Sequence, residues 1–158
     1  MIQKAMLSQL PQIMAIYEKA REFMANNGNP DQWGTTDPPE ETVRQDIISE
    51  KCYVNIKDGN ICGVFYFSQD EDPTYRHIDG AWLNDAPYGV MHRVAVGESG
   101  KGVAAECIRF AYERCPNLRI DTHEKNIPMQ RCLAKNGFRR CGIIYLENGD
   151  SRIAYQKE

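Results

Sequence analysis

Three glycines and a lysine, set between a strand-like run and a helix-like run, mark the stretch of this chain best suited to chemistry. Val94-Ala95-Val96 gives way to Gly97-Glu98-Ser99-Gly100-Lys101-Gly102. Apolar residues then recur at Ala104, Cys107, Ile108, Ala111 and Cys115. That spacing is the buried face of a helix running from Val103 to Cys115. The first turn of a helix leaves N–H groups unpaired at the positive end of its dipole. A glycine loop feeding that turn lets an anion reach them, most often a phosphate. Just upstream, His92 offers an imidazole, the side chain most used for moving protons. Strand alternation places Val90, His92, Val94 and Val96 on one face. His92 reads either as a base or as an inward histidine donating to a backbone carbonyl, and an ordered water is a rival base.

Several elements must position this stretch. Ile2 to Met6 reads as a strand. Ser8 can cap a helix to about Ala25, with Pro11 in its first turn and Leu10, Ile13, Met14, Tyr17 and Met24 as its stripe. A loop with Trp33 precedes a second helix, started by Pro39 and running from Glu40 to Ser49. Strands Cys52 to Ile56 and Ile61 to Phe67 flank the turn Lys57-Asp58-Gly59-Asn60. Ser68 to Tyr88, with Tyr75, His77 and Trp82, carries no clear secondary-structure signal. Strand Gly89 to Val96, the glycine loop and its helix follow, then strand Leu118 to Thr122. A helix capped by Asn126 has Met129, Cys132 and Leu133 inside and stops at Gly137. Strands Phe138 to Leu146 and Arg152 to Gln156 close the chain as a hairpin. The order predicts an α/β fold with a mixed, largely antiparallel sheet flanked by helices.

Composition narrows the function classes. The 158 residues suit one domain spanning 1–158, and the net charge of −3 argues against a nucleic-acid grip, which needs a basic surplus. No apolar run reaches the roughly 20 residues of a membrane span, and the N-terminus lacks a signal-peptide core, so no membrane and a cytoplasmic location are expected. None of the six cysteines forms a C-x-x-C pair, so no metal is expected and the thiols read as small buried hydrophobes.

In element order and in motifs, the chain resembles the GNAT superfamily of acyl-CoA-dependent N-acetyltransferases from Ile2 to about Lys157. That family's loop is (Gln/Arg)-x-x-Gly-x-(Gly/Ala) after Val-x-Val. Val94-Ala95-Val96 and Gly100-Lys101-Gly102 match it, whereas Gly97 stands where Gln or Arg is usual. A second family motif is met by Asn126, Gly137 and Phe138. There Met129 replaces Ala, Cys132 replaces Leu, and Leu133 replaces the Tyr that often serves as general acid.

The resemblance implies acetyl-CoA as co-substrate and direct attack on its thioester by a primary amine of a small molecule or peptide. Pyrophosphate would sit on N–H groups from Gly97 to Ala104, including Val103, with Lys101 as counter-charge and Glu98 pointing outward. Pantetheine would lie along Val94, Ala95 and Val96 and touch Asn126. The acceptor would meet Trp33, Tyr75 and His77, unless these pack loops instead. Asp121 reads as a cap or structural partner, and His123 either way. Leu133 and Gly97 keep open a non-catalytic acyl-CoA-binding module of the same fold. A homodimer through the edge of the last hairpin is also open.

Overall fold

A computed structural model describes residues 1–98 and 100–158. Its strands are β1 (Ile2–Lys4), β2 (Cys52–Lys57), β3 (Asn60–Ser68), β4 (Asp79–Gly80), β5 (Gly89–Val96), β6 (Leu118–Thr122), β7 (Arg139–Tyr145) and β8 (Ser151–Lys157). Its helices are α1 (Leu10–Asn26), α2 (Glu40–Ile48), α3 (Val103–Arg114) and α4 (Ile127–Lys135). The strands form one sheet in the order β1-β2-β3-β5-β6-β8-β7-β4. Only β5 and β6 run parallel, joined through α3, and every other neighbouring pair is antiparallel. The mixed, largely antiparallel sheet is therefore the one the sequence predicts.

Helices cover both faces. Leu10, Ile13, Ile16 and Tyr17 of α1 and Val43 and Ile47 of α2 bury against Val54, Val64 and Ala95. On the other face, Val103, Cys107, Ile108 and Ala111 of α3 and Leu133 of α4 pack on Phe65, Met91, Leu118 and Ile120. The helical spacings thus select the faces that are buried.

Two local expectations change, and the segment without a clear signal takes form. Ser8 does not cap α1. Gln9 Oε1 accepts from Met6 N at 2.8 Å, and the chain enters through a 3-10 turn, Leu7–Gln9, before Leu10. Ile16 replaces Met14 and Met24 in the fully buried stripe of α1. Between Ser68 and Tyr88 the chain forms a 3-10 turn at Pro73–Tyr75 and the two-residue β4. β4 pairs with Gly142 and Ile143, so part of the outer edge of the last hairpin is already occupied within the chain. Gly80 and Gly142 permit this approach. A Cβ on either would collide with the opposite backbone carbonyl.

Candidate active site

β5 and β6 pair only at Gly89–Leu118 and Val90–Arg119. Beyond that point they part, and β5 from Met91 to Val96 faces the gap without a strand partner on that edge. On its other edge, β5 carries one residue more than β3: His92 opposes Tyr66 and Ala95 opposes Val64. Arg93 takes up the extra residue with φ +49°, forming a β-bulge. This corrects the expected alternation. Val90 and His92 face Tyr75, whereas Val94 and Val96 pack toward the α3–α4 core, because one inserted residue reverses every later side chain.

Side chains distant in sequence hold the bulge. Tyr17 Oη donates to the Arg93 carbonyl at 2.8 Å. The Arg93 guanidinium binds Asp46 at 2.8 and 3.0 Å and lies over the Tyr66 ring. Burial pushes the Asp46 carboxyl up, with the Arg93 charge opposing it. Burial also raises the Tyr17 hydroxyl well above its ordinary value, so it stays protonated and remains a donor. Tyr17→Phe keeps the ring and orphans the Arg93 carbonyl. Denaturant unfolding of that variant should show a loss of about 1–2 kcal/mol. An unshifted midpoint would mean that the bulge stands without this bond.

The gap opens into a cleft of about 430 Å³. On its floor, His92 Nε2 lies 2.7 Å from Asp72 Oδ2, and Nδ1 lies 3.9 Å from Asp121 Oδ2. Asp121 Oδ2 also accepts from Tyr75 Oη at 2.7 Å. Asp72 opens the 3-10 turn, and its Oδ1 accepts from both the amide and the hydroxyl of Thr74. Burial alone would raise the Asp72 carboxyl, but the hydrogen bonds from His92 and Thr74 outweigh it and hold it at about 2. Asp72 is therefore ionised and can only accept. A neutral His92 must carry its proton on Nε2, which leaves the Nδ1 lone pair on the Asp121 side.

Trp33 and Asn126 both line this cleft. Trp33 meets Tyr17 edge-on, with ring centroids 5.6 Å apart. Asn126 caps α4 by accepting from Met129 N, and its amide donates to Gln32 Oε1 at 2.9 Å, tying α4 to the Trp33 loop. Tyr75 is buried beneath the cleft and reaches it through Asp121. His77 lies elsewhere: exposed, 3.2 Å from Asp79 and stacked on Tyr145. It is no part of the cleft. His123 Nδ1 accepts from Lys125 N, a turn contact. Leu133 is fully buried in the α3–α4 core and presents no polar group.

Val94 lines the cleft, Ala95 is buried toward α1, and the glycine loop stands beyond the cleft at the N-terminus of α3. Gly100 and Gly102 adopt φ +80° and +75°, with Gly102 at the cap of α3. The Gly97 amide is already used, donating to Cys62 O at 2.9 Å. It is therefore removed from the expected phosphate donors. Val103, Ala104 and Ala105 precede the first intrahelical bond, from Glu106 N to Gly102 O, so their N–H groups have no partner within the helix. Glu106, the one acid of that turn, is drawn aside by Lys57 and Asn55. Lys101 and Glu98 are exposed, and Ser99 lies outside the described residues.

Asp72, Thr122 and Arg152 line the cleft without having been singled out by the sequence. Asp-Pro-Thr does signal a capped turn, but nothing in the sequence joins it to a histidine 20 positions away. Among the described residues no cysteine lines the cleft, and burial pushes the Cys52 and Cys107 thiols up to about 12.

Comparison with known proteins fits this geometry. The acetyltransferase (GNAT) family profile matches residues 11–138. A GNAT-family acetyltransferase from Streptococcus agalactiae 2603 is 33% identical, with a TM-score of 0.91 over 99% of this chain and 94% of that one. A ribosomal-protein-alanine N-acetyltransferase from Brucella melitensis shares the fold at 21% identity, with a TM-score of 0.66 over 99% of this chain and 98% of that one. A comparison with curated proteins gives no match. The parted parallel strands, the glycine loop capping α3 and these likenesses converge: the chain belongs to the GNAT acetyltransferase family.

Proposed function

We propose that the protein transfers acetyl from acetyl-CoA to a primary amine by direct attack on the thioester, with His92 as general base. The observation that carries this reading is the 2.7 Å bond from His92 Nε2 to an ionised Asp72 on the cleft floor, beside the unpaired edge of β5. Pyrophosphate suits the unpaired N–H groups of Val103 to Ala105, with Lys101 nearby. The pantetheine arm suits the free edge of β5 from Met91 to Val96. A backbone N–H there would polarise the thioester carbonyl and stabilise the developing oxyanion.

An ammonium entering the cleft meets Asp121 and gives its proton to His92 Nδ1. The amine lone pair attacks the carbonyl carbon, the N–C bond forms and the C–S bond breaks. The nitrogen's second surplus proton passes to the departing sulfur, leaving a neutral amide and free CoA thiol, while His92 returns its proton to solvent. Before it takes up that proton the sulfur is a thiolate, which is stable enough to depart without the missing tyrosine because thiols ionise near about 8.5. Thr122 Oγ1, buried, unpartnered and lining the cleft, is a hydroxyl that the bound cofactor can satisfy.

Thiol release from acetyl-CoA across a panel of amines and amino acids tests this reading. Amine-dependent release is expected. Tight acetyl-CoA binding with no release on any acceptor would instead favour the non-catalytic module suggested by Leu133.

A further inference from the structure

The β7–β8 hairpin forms one wall of the cleft and carries Arg152, opposite Ile144. Arg152 is only 8% exposed. Its side chain makes one hydrogen bond among the described residues, from Nη1 to the Ser151 carbonyl at 2.8 Å. Among the described residues no carboxylate lies within 4.0 Å of it. A buried cation with no counter-charge is among the costliest groups a fold can carry. The other arginines around this region have partners for their guanidinium groups, although Arg119 Nε itself has none among the described residues while its Nη2 donates to the Asn84 carbonyl. Arg93 has Asp46, and Arg119 lies between the Trp82 and Tyr88 rings at 4.2 and 4.1 Å. Among the described residues that line the cleft, Arg152 is the arginine whose guanidinium fork meets no carboxylate.

Its position relative to the acid–base group gives the fork a use. Asp121 pairs with Ala154, so Arg152 stands diagonally across from Asp121 on the next strand, about 7–8 Å away between such positions. One end of the cleft is therefore acidic, with Asp72 and Asp121, while the hairpin side brings the buried Arg152 together with an exposed Asp150 that Asn148 Nδ2 binds. That polarity matches a zwitterion. We propose that Arg152 binds the carboxylate of the acceptor, which makes the acceptor a free amino acid or a similar small amine bearing a carboxylate. The inference rests on the acetyl-transfer reading only for the name acceptor. Arg152 belongs to the wall opposite the unpaired edge of β5, so its carboxylate is assigned to the acceptor and not to the acyl group.

Calorimetric titration of the CoA-saturated protein with amino acids and their carboxamides tests the assignment without turnover. At least one amino acid should bind about 30-fold or more tightly than its own amide. That preference should vanish in Arg152→Met and be only partly kept in Arg152→Lys, which holds the charge but loses the fork. Arg152→Met should melt no lower than the wild type, because a lone buried charge has been removed. If it melts lower, Arg152 serves the fold and the assignment falls. Equal binding of acids and amides, no binding of any amino acid, or a preference that survives in Arg152→Met would also overturn it. So would an Arg152→Met defect confined to a dicarboxylic donor such as succinyl-CoA, which would place the carboxylate on the acyl chain. Amino-acid binding without thiol release would instead sink the transfer reading and leave the Arg152 assignment standing.

Discussion

His92→Ala is expected to lower kcat by about 10²- to 10⁴-fold at neutral pH, the range that a positioned base contributes. The KM for acetyl-CoA should change by less than about threefold, because His92 acts on the acceptor's proton and not on the cofactor. Rescue separates a base from a packing residue: added imidazole should restore part of the turnover in His92→Ala, which it would not do if the ring only packed. Asp72→Asn should act more weakly, by about 10- to 10³-fold. The amide preserves the Thr74 contacts but can donate as well as accept, so it no longer fixes the proton on Nε2. A variant pair that keeps wild-type kcat would remove His92 from the chemistry.

The second large effect lies at the other end of β5. Gly102→Glu should weaken acetyl-CoA binding by about 100-fold or more, since it sets a carboxylate beside the N–H groups that a phosphate would use. Space is not the obstacle, because a Cβ at Gly102 meets nothing within 4 Å. The left-handed backbone is an obstacle, and it costs any replacement roughly 1–2 kcal/mol. Gly102→Asn carries much of that strain without the charge and tolerates this conformation better than most residues. It should bind within about tenfold of wild type. Equal losses in the two variants would assign the effect to loop geometry, and no loss in Gly102→Glu would move the phosphate site away from α3.

The fold was open to sequence reasoning because its signals are periodic and local. Strand β5, the start of α3, the Asn126 cap and the Asp58-Gly59 hairpin turn fall where spacing and turn chemistry put them. The site was only half open. His92 and the glycine loop announce themselves by residue type, whereas the bulge at Arg93 inserts one residue into an otherwise regular run and leaves no mark in the pattern. Its reversal of side chains explains why His92 and Val94 share no face. The partners of the site are all long-range: Asp72 to His92, Tyr17 and Asp46 to Arg93, Tyr75 to Asp121. None shares a helix turn or a hairpin, so local rules could not pair them. His77 misled because an aromatic-rich segment suggests a pocket, and only β4 pairing shows that this histidine lies outside it.

Single-turnover transfer with acetyl-labelled CoA distinguishes direct attack assisted by His92 from an acetylated protein intermediate. Protein is mixed with labelled acetyl-CoA, first alone and then with an acceptor amine, and quenched on the timescale of one turnover. Direct attack assisted by His92 predicts no label on the protein in the absence of amine. With amine it predicts label in the amide at the rate of thiol release, and a His92→Ala reaction slowed by at least about 100-fold. Label retained on the protein before amine is added, or amide formed by His92→Ala at the wild-type rate, would contradict it.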